Sequence, residues 1–512
     1  MTRILLLAAL TIGIIRHPTP AAERTLPNIL IAIADDQSWQ DTGAAGCVGL
    51  RTPAFDRVAR SGALFLNCFA GSPGCSPSRA ALLTGRHHWQ LRQAGTHASS
   101  FPSEYVTFPD LLEKAGYNTG FTGKGWGPGN WKTSGRTRNP AGPEFSARTL
   151  NPPQTGLSKN DYAANFDDFL AARDRSKPFL FWFGAHEPHR AYQAGSGRRL
   201  GKTLADAVVP PFLPDTQEVR SDLLDYYTEI EWFDQHLNRM LNRLDEAGEL
   251  NNTLVIVTGD NGMPFPRAKA NLYEFGIHVP LAVSWPNRMP GNRSVEDLVG
   301  FVDLTATILD AARVTHPALG NPSLAPAGQS ILPILMATDS GRVDRDRTMV
   351  FSGRERHSSS RWNNLGYPGR AVRTHDFLYI RNFHPERWPA GAPQKLNTDS
   401  SPGPMHGGYH DIDACPTLTH LIDQQETSAV RPFFQWAVSK RPGEELFRIR
   451  EDPGCLRNLA ADPEFQEVRN RLRDSLDNTL KSTGDPRAGD NPEIWESYTR
   501  YSAIRTFPPE SE

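Results

Sequence analysis

Apolar positions along the 512-residue chain follow two patterns. The first is the continuous run. Asn28-Ile29-Leu30-Ile31-Ala32-Ile33-Ala34 stops at Asp35-Asp36, Phe179 to Ala185 stops at His186, and Thr253 to Thr258 stops at Gly259-Asp260-Asn261. Pro280 to Trp285 is a fourth run. Segments apolar at nearly every position suit strands buried on both faces, as in a parallel sheet covered by helices. The second pattern is helical: Leu223, Tyr227, Ile230, Phe233, Leu237, Leu241 and Leu244 recur every three or four residues, and Gly248 supplies a stop. These side chains are read as core. Strands alternating with helices predict an α/β fold, a mainly parallel central sheet between helical layers, with ligands at the carboxyl ends of the strands.

From about Asp344 the texture changes. Short strand-like pieces such as Phe377-Leu378-Tyr379-Ile380 appear among Gly- and Pro-rich loops, followed by a charged helix from Pro463 to about Leu480. We therefore read a larger α/β domain over 23–343 and a smaller α+β C-terminal domain over 344–512. Residues 1–22 are read as a signal peptide: Met1-Thr2-Arg3, the apolar run Ile4 to Ile15, then small residues up to Ala22. That peptide implies export, periplasmic or secreted in a bacterium, lysosomal or secreted in a eukaryote, and neither its run nor any later one is long enough for a stable membrane span.

Lys plus Arg total 55 against 57 for Asp plus Glu, which argues against a nucleic-acid partner. Five cysteines, Cys47, Cys68, Cys75, Cys415 and Cys455, leave at least one thiol without an internal partner. Cys415 and Cys455 are one conceivable pair, which spacing alone does not decide. No spacing matches a zinc site.

The segment Gly74-Cys75-Ser76-Pro77-Ser78-Arg79-Ala80-Ala81-Leu82-Leu83-Thr84-Gly85 predicts a short helix, with Ser76 as N-cap, Pro77 in the first turn and Gly85 as the stop. Cys75 then sits at a helix N-terminus, where free N–H groups favour an anion. Asp35, Asp36, Asp260 and Asn261 offer oxygen ligands to a hard cation.

Cys-x-Pro-x-Arg followed by Ala-Ala-Leu-Leu-Thr-Gly resembles the signature of the formylglycine-dependent sulfatases, and Gly259-Asp260-Asn261-Gly262 matches that family's second metal segment. The resemblance implies an alkaline-phosphatase-like α/β/α sandwich and a maturation enzyme that converts Cys75 to 3-oxoalanine (formylglycine). It also implies one Ca2+, or Mg2+, held by Asp35, Asp36, Asp260, Asn261 and the modified residue 75. A hydrated aldehyde carries two hydroxyls on one carbon: one attacks sulfur, and deprotonating the other expels sulfate. Arg79 would hold this group. Lys124, in Thr122-Gly123-Lys124, and Lys269 match lysines near the sulfate, and His186 matches the histidine beside sulfate or leaving group. One departure stands out: where family members commonly carry a histidine two positions after the first lysine, this chain has Trp126, an indole that cannot accept a proton. His87, His88 or a metal-bound oxygen are the substitutes.

Within the family the resemblance is greatest to the heparan N-sulfatase (sulfamidase) branch, through Ala185-His186-Glu187-Pro188-His189-Arg190, Val209 to Thr216 and Asp260 to Pro266. It implies hydrolysis of a sulfamate or sulfate ester on a sulfated saccharide, N-sulfoglucosamine of heparan-type glycosaminoglycans foremost. Arg190, Arg354, His357, Arg370 and Arg373 are candidates to meet further sulfates or carboxylates. Alternatives are an O-sulfatase on another glycan, a phosphate or phosphonate ester hydrolase, and a non-catalytic glycan-binding protein with Cys75 unmodified.

Overall fold

A computed structural model describes residues 26–321, 324–404 and 407–509. The expected signal peptide lies outside them. The first sheet contains β1 (Asn28–Ala34), β2 (Ala63–Phe69), β3 (Asn118–Gly123), β4 (Phe179–Gly184), β5 (Thr253–Gly259), β6 (His278–Ser284), β7 (Arg293–Val295) and β8 (Val299–Gly300). Its order is β3-β4-β1-β5-β6-β2-β7, with β8 also on β2. Every pairing is parallel except those of β6, which runs against both β5 and β2.

Alternate residues of β1 enter different cores, as period-two geometry demands. Ile29, Ile31 and Ile33 face the helices Cys75–Thr84, Phe108–Lys114 and Phe301–Ala311, while Leu30, Ala32 and Ala34 face Pro53–Ser61, Tyr162–Ala172 and the C-terminal half of Gln217–Glu246. This is the expected three-layer sandwich. The long helix runs 30 residues, is capped by the Thr216 side chain, and buries all seven periodic positions. Gly248 follows it at φ 69°.

A second, antiparallel sheet contains β9 (Val350–Arg354), β10 (Gly369–Arg373), β11 (Phe377–Asn382) and β12 (Glu444–Arg448), ordered β12-β11-β10-β9. On one face Ala371, Leu378 and Ile380 cluster with Phe69, Leu272 and Ile277 of the larger layer. On the other, Val372 and Leu446 receive Leu472, Leu476 and Leu480 of the charged helix, which spans Gln466–Ser482 after a turn of 3-10 helix at Pro463–Phe465. Among the described residues, no helix is long and apolar enough to cross a membrane.

Candidate active site

Strand register brings the polar ends together. Ala34 pairs with Gly259, Ile33 with Gly184, and Gly184 with Gly123, so Asp35, Asp260, Ala185 and Lys124 leave the sheet along one edge. Backbone bonds fix them there: Asp260 N donates to Ala34 O (2.9 Å), Lys124 N to Gly184 O (2.7 Å), and Asp35 N to Glu187 O (2.8 Å). Asp36 turns back at φ 75°, an uncommon conformation for a residue with a Cβ, and Asp260 Oδ1 accepts its N–H at 3.0 Å.

The helix Cys75–Thr84 aims at this edge. Its N-cap is Gly74, not Ser76: Gly74 takes the extended conformation, its carbonyl accepts from Ser78 N at 3.0 Å, and Cys75 is already the first helical residue. A side chain at 74 would meet His357 Nδ1 at 2.8 Å, which accounts for glycine there. Gly85 ends the helix at φ 67°, as expected.

Cys75 is buried with Sγ 3.8 Å from Asp36 Oδ1. One turn on, Arg79 donates from Nε to Asp260 Oδ2 (2.7 Å) and from Nη1 to Lys124 O (2.7 Å), with Nη2 3.8 Å from Asp35 Oδ1. The Lys124 ammonium pairs with Asp35 Oδ2. Lys269 Nζ lies 2.6 Å from Asp36 Oδ2 and 2.9 Å from Asp413 Oδ2, and Asn261 Nδ2 donates to Asp36 Oδ1 at 2.8 Å. The structure therefore converges Asp35, Asp36, Cys75, Arg79, Lys124, Asp260, Asn261 and Lys269 from five separate stretches of sequence.

Burial, with the Asp35 charge adding, pushes the Cys75 thiol well above its usual range, so the unmodified sulfur is a poor nucleophile. Burial also opposes ionisation of Asp35, but Lys124, His189, Arg79 and Lys269 hold its carboxyl well below the usual value. Burial and then Asp35 push Asp260 up to about 7. Such crowding of carboxylates asks for a cation.

The donor set fits one. Ligand atoms of Asp35, Asp36, Cys75 and Asp260 lie within 4.8 Å of one another. Asp35 Oδ1 and Asn261 Oδ1 are buried without a hydrogen-bond partner, an unfavourable state that a hard divalent ion relieves. Arg79 Nη2 is also buried and without a hydrogen bond, a donor suited to an anionic oxygen.

Two imidazoles border the centre. The exposed His186 has its N–H bonded to Tyr162 Oη at 3.0 Å, while the surrounding protein and then Lys124 lower its ring pKa to about 4. His189, passed over in the sequence, places Nε2 3.9 Å from Asp36 Oδ2. Its Nδ1 lies 2.5 Å from the Arg190 carbonyl, which can only accept, so Nδ1 donates there and Nε2 is the ring nitrogen turned to the site. Asp413 was missed too. Nothing in its local sequence marks it.

Several expectations need correction. Four candidate glycan contacts are committed elsewhere: Arg190 to Asp222, Arg354 to Asp411, Arg370 to Glu355 and Asp485, and Arg373 to Glu274, all buried. A buried guanidinium needs its carboxylate, so these arginines hold the fold together. His357 is buried against Gly74, its ring centroid 4.5 Å from that of His97. Asp411 takes Arg354 and Arg361 on one oxygen, and Asp411→Ala is expected to destabilise by about 3 kcal/mol in urea unfolding by stranding both. Cys415 and Cys455 are not linked, and all five cysteines are free. The Cys415 sulfur caps the helix Pro416–Asp423. His88 is spent on the Gly95 carbonyl and stacks on Trp495; His87 stacks on Trp89.

Trp126 is buried and donates from Nε1 to Ser76 O at 3.0 Å, bracing the turn that carries Cys75. Trp126→Phe removes that donor and also leaves a cavity beside Phe101, where the larger indole is packed, and is expected to cost about 2 kcal/mol of stability, measured by urea unfolding.

Residues 27–314 match the family model described as Sulfatase. The chain belongs to the sulfatase family. Among its relatives, N-sulphoglucosamine sulphohydrolase of Homo sapiens is 31% identical over 494 residues, covering 90% of this chain and 91% of that one. An ulvan-active sulfatase of Formosa agariphila is 27% identical, covering 90% and 75%. Among solved structures, BT4656 in complex with its substrate D-glucosamine-2-N,6-O-disulfate superposes with a TM-score of 0.65 at 18% identity, over 92% of this sulfatase and 100% of that chain. The phosphonate monoester hydrolase of Agrobacterium radiobacter gives 0.60 at 18%, over 90% and 96%. At such identities the likeness is one of fold.

Proposed function

We propose that the protein hydrolyses the sulfamate of N-sulfoglucosamine at an end of a heparan-type saccharide, with O-sulfate esters of related glycans as the alternative. The observation that carries the hydrolytic reading is Cys75 at a helix N-terminus, facing three carboxylates and three cations in one buried centre. The full-length likeness to N-sulphoglucosamine sulphohydrolase supports the choice of sugar.

In this reading a maturation enzyme oxidises Cys75 to 3-oxoalanine, whose hydrate supplies the oxygen nucleophile that the buried thiol is not. Asp35, Asp36, Asp260, Asn261 and residue 75 would hold Ca2+, which suits their oxygens; bound there it would polarise the sulfate group. Three carboxylates already offset Arg79, Lys124 and Lys269, so without that charge a buried sulfate group would be uncompensated.

Arg79, anchored by Asp260 and by Lys124 O, keeps Nη2 buried without a hydrogen bond, 3.8 Å from Asp35 Oδ1, as a donor for the oxygens of residue 75. Lys124 and Lys269 approach from two sides and take the sulfate oxygens as negative charge shifts in the transition state. His186 and His189 stand nearest solvent, where the departing nitrogen or oxygen collects a proton.

The test pairs mass spectrometry with turnover. Protein produced with a maturation enzyme is expected to carry an aldehyde at residue 75 and to release sulfate from N-sulfoglucosamine faster than from 6-O-sulfated N-acetylglucosamine. An intact thiol throughout the active preparation sinks the mechanism, and the reverse preference sinks the sulfamidase assignment.

A further inference from the structure

The charged groups around Cys75 differ sharply in exposure. Side chains of Asp35, Asp36, Arg79, Asp260 and Lys269 are 3% exposed or less, whereas Asp413 keeps 27% and His189 36%. The centre thus meets solvent at Asp413 and His189, as it does at the exposed His186 and at Lys124, whose side chain keeps 13%. In an in-line displacement the leaving atom departs opposite the nucleophile, which here is away from residue 75 and toward that rim.

Asp413 is held firmly. Two residues before it, Asp411 accepts Arg354 and Arg361 on Oδ2 and Ser358 N and Ser360 Oγ on Oδ1. Two residues after it, Cys415 caps a helix whose Thr417 Oγ1 donates to Asp222 Oδ2 at 2.6 Å. Asp222 also takes both terminal nitrogens of Arg190, beside His189, so one carboxylate ties the two rim segments together. Asp413 Oδ2 receives Lys269, and its Oδ1 accepts no hydrogen bond among the described residues. Asp36, His189 and Asp413 are close enough to bind a metal, but the Lys269 ammonium already lies between the two carboxylates and carries the positive charge there.

A preorganised carboxylate with one oxygen free, on the side where the saccharide leaves, has a definite chemistry. It accepts from a hydroxyl and repels an anion. We propose that Asp413 is the specificity-determining residue of the leaving-group side: it binds a free hydroxyl of the sugar next to the scissile group and disfavours a sugar that carries a second sulfate there. This rests on the sulfatase reading above and extends it to a residue outside the nucleophile and metal sets.

Binding separates the proposal from that reading. Glucosamine N-sulfate, N,6-O-disulfate and N,3-O-disulfate are titrated calorimetrically into Cys75→Ala protein, which binds but has no nucleophile at position 75 to take the sulfate group, with Asp413 intact and as Asp413→Asn. Intact Asp413 is expected to favour the monosulfate over at least one disulfate by about tenfold, and Asp413→Asn to remove most of that preference. Asp413→Ser should behave alike, guarding against a folding defect in one variant. Equal ratios with and without Asp413, tighter binding of both disulfates by intact Asp413, or binding of none of the sugars overturns the proposal. Inorganic sulfate, a probe of the Lys269 pocket alone, gives the remaining control: weakened sulfate binding with an unchanged sugar ratio would make Asp413 a mere support for Lys269, again overturning it. Sulfate release by aldehyde-bearing protein tests the hydrolytic reading independently.

Discussion

Sulfate release is expected to fall by about 10^4-fold or more when Cys75 is replaced by serine, with little change in thermal unfolding. The stability side follows from geometry. Position 75 is fully buried, serine is nearly isosteric with cysteine, and Asp36 Oδ1 at 3.8 Å from Sγ remains available to a hydroxyl donor. The rate side follows from chemistry. A serine hydroxyl at the helix N-terminus still faces Arg79, Lys124 and Lys269, so it can accept the sulfate group once. It lacks the second oxygen on the same carbon, so release of that group must wait for water in a crowded, buried pocket. The measurement is steady-state sulfate release together with the mass of the peptide spanning residue 75, which is expected to show sulfated serine. Undiminished turnover by the serine protein would place the nucleophile elsewhere.

How much of this was legible in the sequence depends on what each residue's neighbours are. β1, β4 and β5 were visible because strands buried on both faces must be apolar throughout. β3 was not. Asn118-Thr119-Gly120-Phe121-Thr122-Gly123 has one large apolar residue because a side chain at Gly120 would run into Phe169 and Phe145, and glycine admits those rings. The reversed direction of β6 has no local signature either. At the site, Asp35, Asp36, Asp260 and Asn261 were readable because each directly follows a buried run, and Cys75 because its motif is long. The arginines misled: Arg354, Arg370 and Arg373 look like free cations in sequence, and only folding supplies Asp411, Glu355, Asp485 and Glu274 to neutralise them. Asp413 stayed hidden for the same reason in reverse, since its partner Lys269 is 144 residues away.

Chelation is expected to abolish sulfate release and to lower the unfolding temperature, with both restored by calcium. Asp35, Asp36 and Asp260 are packed into a space where their ligand atoms, with Cys75 Sγ, lie within 4.8 Å of one another, and burial and then Asp35 raise the Asp260 pKa to about 7. Arg79 and the two lysines relieve part of that repulsion, yet Asp35 Oδ1 and Asn261 Oδ1 remain buried without a hydrogen bond. A divalent ion that binds there and not to the unfolded chain stabilises the fold by about 3 kcal/mol when free ion exceeds Kd a hundredfold. Differential scanning calorimetry with chelator, calcium and magnesium reads the stability effect, and sulfate release under the same conditions reads the chemistry. Asp260→Ala sharpens the attribution, because it removes a proposed ligand and also the partner of Arg79 Nε and the acceptor of Asp36 N. That variant should be less stable from the outset and should lose most of its response to calcium. If it keeps the full calcium response, the ion sits away from this cluster; if the parent protein keeps its activity in chelator, the three cations alone manage the sulfate charge.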